Sequence, residues 1–251
     1  MRSELGTLLA MYAIKLQDGF LHSSRIISST SDLKTSEVVW YAYAEPLPDS
    51  GFFGDQTYTD LLSKEMTSRF IEVTHEVYKK HVGSSFGSVV PSIFTDEPQY
   101  CPMSTLNVAE KPQDVFLPWT RGIIGSFKAS KGGDLLELLP RLVWDSADGQ
   151  PNTTRSQFLD HVCELFSTNY IGTIAKWCAK NNIMCIGHMN AVCVLYSYGV
   201  FKLIRTLRNP HWHPKQLRMA KSCDVIVKCS SQELTCSAIN ANSTPQSKPL
   251  A

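Results

Sequence analysis

Two adjacent carboxylates, Asp96 and Glu97, follow the short apolar run Ser92-Ile93-Phe94-Thr95 and stand directly before Pro98. Carboxyls gathered at one point are the equipment of general acid–base catalysis, in which one keeps its proton near neutral pH and another stays ionised. The run reads as a short buried strand of a parallel sheet, bounded by Pro91 and Pro98. Pro98 cannot donate to a ladder, so the strand ends at Asp96 or Glu97. A carboxylate leaving the C-terminal end of a parallel strand stands where α/β folds place ligands. The same residues would equally serve to cap a loop. Glu45 repeats the arrangement, since it follows the β-branched and aromatic run Val38–Ala44 and precedes Pro46. His188 closes a third such run, Ile183–His188, either as a site residue or as a core histidine.

Aromatic side chains accompany these acids. Phe52, Phe53 and Tyr58 lie on the loop after the Val38 strand, and Trp119 lies in the long connection after Glu97. Aromatics on such loops offer faces for a ring-shaped ligand, or they fold back onto the core. The connection from Gln99 to Gly133 carries several prolines and little periodicity. Its length suits the wall or lid of a site.

The elements that must position these groups follow from pattern. Leu8 to Leu21 reads as a strand, a turn at Asp18-Gly19 and the start of a second strand. Ser23 to Ser36 reads as loop or irregular hairpin. Ser63 is an N-cap for a helix over 64–81, with Phe70, Val73, Thr74, Val77 and Tyr78 as its buried face and His75 at its surface or boundary. With the flanking strands this makes a strand–helix–strand unit from Val38 to Glu97, the crossover that joins parallel strands. Leu135 to Trp144 reads as a short helix interrupted by Pro140. Thr153 or Thr154 caps a long helix, 155–181, whose buried face is Phe158, Val162, Leu165, Phe166, Ile171, Ile174, Trp177 and Cys178. After Met189 the chain turns basic and then rich in Ser, Thr, Asn and Pro, the composition of a solvated tail. The expected organisation is an N-terminal strand segment (1–36), a catalytic α/β region (37–190) and an irregular basic tail (191–251).

The chain has 251 residues, 24 basic against 23 acidic, a balance that names neither nucleic acid nor membrane as partner. The N-terminus lacks the pattern of a secretory leader, which suggests a cytoplasmic protein. Eight cysteines in loose spacing then read as buried free thiols in a reducing compartment. Cys163 and Cys178 lie too far apart on one helix to bond each other. His211, His213, Cys223 and Cys229 match no structural zinc spacing, so no metal site is expected there.

The run Tyr58-Thr59-Asp60-Leu61-Leu62-Ser63, then 69–78, then Pro91 to Gln99, resembles the large (β/α)-barrel glycoside hydrolases of the α-L-rhamnosidase-like family. Trp144-Asp145, His161 to Phe166 and Gly187-His188-Met189 continue the resemblance, which covers about Leu8 to Asn190. It implies an α/β fold built as a partial TIM-type (β/α) barrel with parallel strands, truncated or rearranged at the C-terminus. A complete barrel takes about 250 residues, whereas only a few strand–helix units precede the tail. It also implies a carbohydrate substrate, with calcium as the one cofactor it allows. Glycoside hydrolysis needs two carboxyls flanking the scissile bond. Glu97 is the expected general acid, Asp96 an orienting group and Glu45 the candidate second carboxylate. His188, Trp119 and Tyr58 are the expected sugar contacts. The alternative is a non-catalytic carbohydrate-binding remnant of such an enzyme.

Overall fold

The computed structural model describes residues 5–101 and 103–188, with His188 described by its backbone. The fold is mixed α/β. Strands β1 (Thr7–Gln17), β2 (Phe20–Ile27) and β3 (Val38–Ala44) form a three-stranded antiparallel sheet in the order β2-β1-β3, and β4 (Ser92–Asp96) pairs with β5 (Met184–His188) in a two-stranded parallel sheet.

β1 (Thr7–Gln17) turns into β2 (Phe20–Ile27) through Asp18 and Gly19, at φ 53° and 81°. Positive φ at both central residues is what a tight hairpin requires, and Asp-Gly meets it. β2 runs through Ser23–Ile27, which its serines had suggested to be loop. β3 (Val38–Ala44) lies antiparallel on the other edge of β1, with Tyr12 opposite Trp40 and Ile14 opposite Val38.

This pairing overturns the partial TIM-type (β/α) barrel. β3 does not open a parallel unit toward β4; it completes an antiparallel sheet with β1. The physical reason is incomplete burial of the flanking strands. Tyr12, Ala13 and Ile14 of the central strand are buried, whereas Val38, Tyr41, Phe20 and Ile26 of β3 and β2 are exposed. An antiparallel sheet tolerates such solvated strands; the strands of an all-parallel barrel are covered on both faces.

α4 (Leu135–Val143) lies against β1 and β2 and buries Leu135, Leu139, Pro140 and Leu142. The helix runs through Pro140 instead of breaking there. Proline has no N–H, so the carbonyl four residues back, that of Leu136, has no helical donor. The Tyr12 hydroxyl donates to that carbonyl at 2.6 Å. Beside it the Trp40 ring meets Trp144 edge-on at 5.4 Å, and the Trp144 indole N–H donates to the Ala109 carbonyl.

α1 (Lys64–Phe70) and α2 (Glu76–Val82) form one long helix joined by a π-helical turn, Ile71–His75. Ser63 caps it by accepting the Met66 N–H. The buried stripe is Thr67, Ile71 and His75, and Val73, Val77 and Tyr78 are exposed. The expected face is therefore offset by one residue, about 100° of rotation. The buried stripe reaches α6 (Gly172–Lys180), where the His75 ring meets the Trp177 ring edge-on at 5.0 Å.

α5 (Thr153–Leu165) and α6 (Gly172–Lys180) are likewise joined by a π-helical turn, Phe166–Ile171. The spacing predicts one uninterrupted helix over 155–181. Phe158, Val162 and Phe166 are buried at four-residue steps, and both Tyr170 and Ile171 are buried in the turn. Leu165 and Trp177, placed on the same face, are half-buried. Asn152 is the cap in place of either threonine; its Oδ1 accepts the Arg155 N–H at 2.9 Å. α3 (Ile123–Lys131) lies within the connection read as irregular, between Gly122 and Gly132, both in the left-handed region. Its pattern is short, because only Ile123 and Phe127 are buried.

β4 (Ser92–Asp96) and β5 (Met184–His188) are the parallel pair. β4 stops where Pro98 requires. It is not deeply buried: Phe94 is 50% exposed, because among the described residues β4 pairs with β5 alone.

Candidate active site

The site is built from the end of β4 outward. Gly187 of β5 faces Thr95 so closely that a Cβ on it would lie 2.1 Å from the Thr95 carbonyl oxygen. Only glycine lets the two strands approach this far. The Thr95 hydroxyl lies 2.9 Å from the hydroxyl of Tyr170, in the π-helical turn after α5. Burial pushes the Tyr170 hydroxyl pKa up, and the bond to Thr95 pulls against it. These contacts hold the strand that delivers Asp96 and Glu97.

Asp96 and Glu97 are both exposed. Glu97 adopts φ 39°, in the left-handed region. That region is unfavourable for a side chain bearing a Cβ. It is doubly so here, since the residue before a proline is driven to extended backbone. Pro98, the next residue, is buried. Strain of this kind persists where surrounding structure over-determines it, as functional sites do.

Tyr58 joins this end of the sheet. The backbone N–H of Gln99 bonds to its hydroxyl, and burial raises its pKa against that bond. Its ring lies 4.7 Å from that of Phe53, whose other neighbour is Phe52 at 5.1 Å. The loop continues to Asp60, whose carboxylate accepts the Thr120 hydroxyl at 2.5 Å. Trp119, half-buried, immediately precedes Thr120. The Tyr58 loop and the Trp119 loop are therefore pinned together two residues from one candidate and one residue from the other.

Glu45 lies elsewhere. It leaves β3 of the antiparallel sheet, with its carboxylate against Gly6. The His188 backbone ends β5 beside β4, and its side chain lies outside the described residues, as does the whole of the basic tail.

Several groups escaped the sequence reading. Tyr170 is 75 residues from Thr95, and no local signal joins them. His161 is buried between α3 and α5, with Nε2 2.9 Å from Ser126 Oγ and Nδ1 3.1 Å from Ser130 Oγ. Ser126 and Ser130, one helical turn apart, were the available signal, but it fell in a segment read as loop. Burial holds the His161 pKa down, with Glu164 opposing. Lys131 pairs with Asp160 and Glu164 around it. This cluster ties two helices together.

Among the described residues no group of three or more His, Cys, Asp or Glu side chains is placed to hold a metal ion. No described helix is long and apolar enough to cross a membrane. A shallow cavity of about 270 Å³ lies at the β1–β2 turn, lined by Gln17, Asp18, Phe20, His22 and Ala147. None of the expected site residues lines it.

No family model and no curated protein matches the chain. Among solved structures it is similar to a rhamnosidase from Novosphingobium sp. PP1Y, with a TM-score of 0.39 and 18% identity. The similarity covers 53% of this chain and 12% of that one.

Proposed function

We propose that this chain is a glycoside hydrolase-type protein that cleaves O-glycosidic bonds of α-L-rhamnoside-type substrates, with Glu97 as general acid. The observation that carries the reading is the left-handed backbone of Glu97 at the C-terminal end of a parallel strand, immediately before a proline. The fold holds a carboxylate there against its conformational preference. The likeness of residues 58–99 to the rhamnosidase-like family supports the substrate class. Asp96 orients a substrate hydroxyl, and Tyr58 and Trp119 supply aromatic faces from loops joined by the Asp60–Thr120 bond. His188 contributes from the neighbouring strand end. Glu45 is the candidate second carboxylate, activating water or attacking carbon.

The second reading, a non-catalytic carbohydrate-binding remnant, is favoured by a different observation. Among the described residues Glu45 leaves a sheet other than the one that carries Glu97. Release of a chromogenic aglycone from aryl glycosides, α-L-rhamnoside included, separates the two. The enzyme reading expects turnover that Glu97→Gln lowers by about 100-fold or more. Sugar binding without turnover in either protein establishes the remnant instead.

A further inference from the structure

The long helix of α1, its π-helical turn and α2 carries two stripes. One, Thr67, Ile71 and His75, is buried. The other, Met66, Phe70, Val73 and Val77, runs at steps of four, three and four residues, the spacing of a seam between two packed helices. Successive residues turn by about 100°, so this second stripe lies across the helix from the first. Phe70 is half-buried at its margin, where its ring meets that of His75. Met66 is 38% exposed, and Val73 and Val77 are each 48% exposed. A solvated helix face is ordinarily polar, and this one is not. A charged row runs beside the stripe: Glu65, Arg69, Glu72, Glu76 and Lys80. Within the chain Arg69 pairs with Glu72 at 2.6 Å, and Glu76 accepts the Trp177 indole N–H at 2.6 Å and lies 3.9 Å from Lys79.

We propose that this face is the interface of a homodimer, in which the helix packs antiparallel against the same helix of a second copy. The charged row selects both the occupant and the direction. A two-fold axis near Glu72 sets Met66 against Val77 of the second copy and Phe70 against its Val73. The same axis brings Glu65 alongside Lys80 of the second copy and Arg69 alongside its Glu76. Two-fold symmetry makes each of these pairs twice, so opposite charges flank the seam along its length. Glu72, beside the axis, approaches its own copy with Arg69 already bound to it. A parallel pair would instead set every charge of the row against its own kind, which is destabilising. The row therefore complements itself in one direction only. An interface of one helix face per copy belongs to the small, weak class under about 1,200 Å², so the dimer has a dissociation constant of about 10–100 μM. The inference stands independently of any glycosidase activity.

The test is sedimentation equilibrium of the full chain from about 5 to about 500 μM, a range that brackets the expected constant. The expected result is a reversible monomer–dimer equilibrium. Val73→Glu buries a charge at the centre of the seam and should weaken the dimer by about 10-fold or more. Glu65→Lys and Lys80→Glu should each weaken it by about 3-fold or more, and the double reversal should restore the wild-type constant. A variant that had merely lost its fold would not recover in the double reversal. A monomer throughout the range overturns the proposal, and a monomer whose Val73→Glu variant melts lower than the wild type assigns the face to another segment of the chain instead. A dimer that Val73→Glu leaves unchanged overturns it too, as does a double reversal no tighter than the two single reversals.

Discussion

The Tyr12 hydroxyl donates to the carbonyl of Leu136 at 2.6 Å, and Leu136 is the residue whose carbonyl Pro140 deprives of its helical donor. The first strand thus supplies, from 124 residues away, the hydrogen bond that the helix cannot make for itself. Tyr12→Phe should leave a part-buried carbonyl unpaired and cost about 1 kcal/mol. Pro140→Ala restores a backbone donor to the same carbonyl, so it should recover part of that loss in the Tyr12→Phe background. Urea unfolding of the two single variants and the double variant gives the coupling. Strictly additive losses would mean the two residues do not share the carbonyl.

Glu97 offers a test in which stability and chemistry move in opposite directions. Glycine accepts φ 39° without a Cβ clash, so Glu97→Gly should raise unfolding free energy by about 1 kcal/mol while abolishing turnover. Asp96→Gly, in extended backbone on the strand, should lose about as much stability. Matched chemical-denaturation curves decide the point; a destabilised Glu97→Gly would show that its conformation carries no strain.

Gly187→Ala forces a methyl group to within 2.1 Å of the Thr95 carbonyl oxygen, a rigid backbone atom. The β4–β5 pair must separate, and the expected loss is about 2–3 kcal/mol. Amide hydrogen exchange should show lost protection confined first to Ser92–Asp96 and Met184–His188. Unchanged protection there would contradict the close approach.

The two buried histidines set the response to acid. Burial depresses the pKa of both His75 and His161 in the folded state. Between those lowered values and the unfolded value of about 6.5, the unfolded chain binds more protons. The stability contributed by the neutral rings is therefore complete above about pH 6.5 and is lost as pH falls from there through the folded values. His75 packs against the Phe70 and Trp177 rings, its Nδ1 meets the Thr74 hydroxyl at 2.8 Å, and Glu76 opposes the depression. Its Nε2 is buried without a hydrogen-bond partner. His75→Phe should stay within about 1 kcal/mol of the wild type at pH 7.5 and fall less by pH 5.5. Parallel declines in the two proteins would remove His75 from this account.

Much of the local structure was legible in the sequence. Asp18-Gly19 dictated the hairpin, Ser63 the cap of α1 and Pro98 the end of β4, because each acts through its own backbone within a few residues. The one-residue offset of the buried face around Ile71 did not show, because Val73, Val77 and Tyr78 are as apolar as the side chains that are buried, and only the position of Trp177 selects between the two faces.

What the sequence by itself determined was where most strands and helices lie, α3 and the second half of β2 excepted, and that two carboxylates leave the end of β4. Strand partnership was decided by tertiary structure alone. An apolar run such as Val38–Ala44 reads the same for either direction of pairing, and its antiparallel partner β1 is a choice that the run itself does not encode. The same decision sent Glu45 to a different sheet from Glu97. Tyr58, Thr95 and Tyr170, far apart in the chain, came together at the end of β4, since long-range contacts follow from packing and not from spacing.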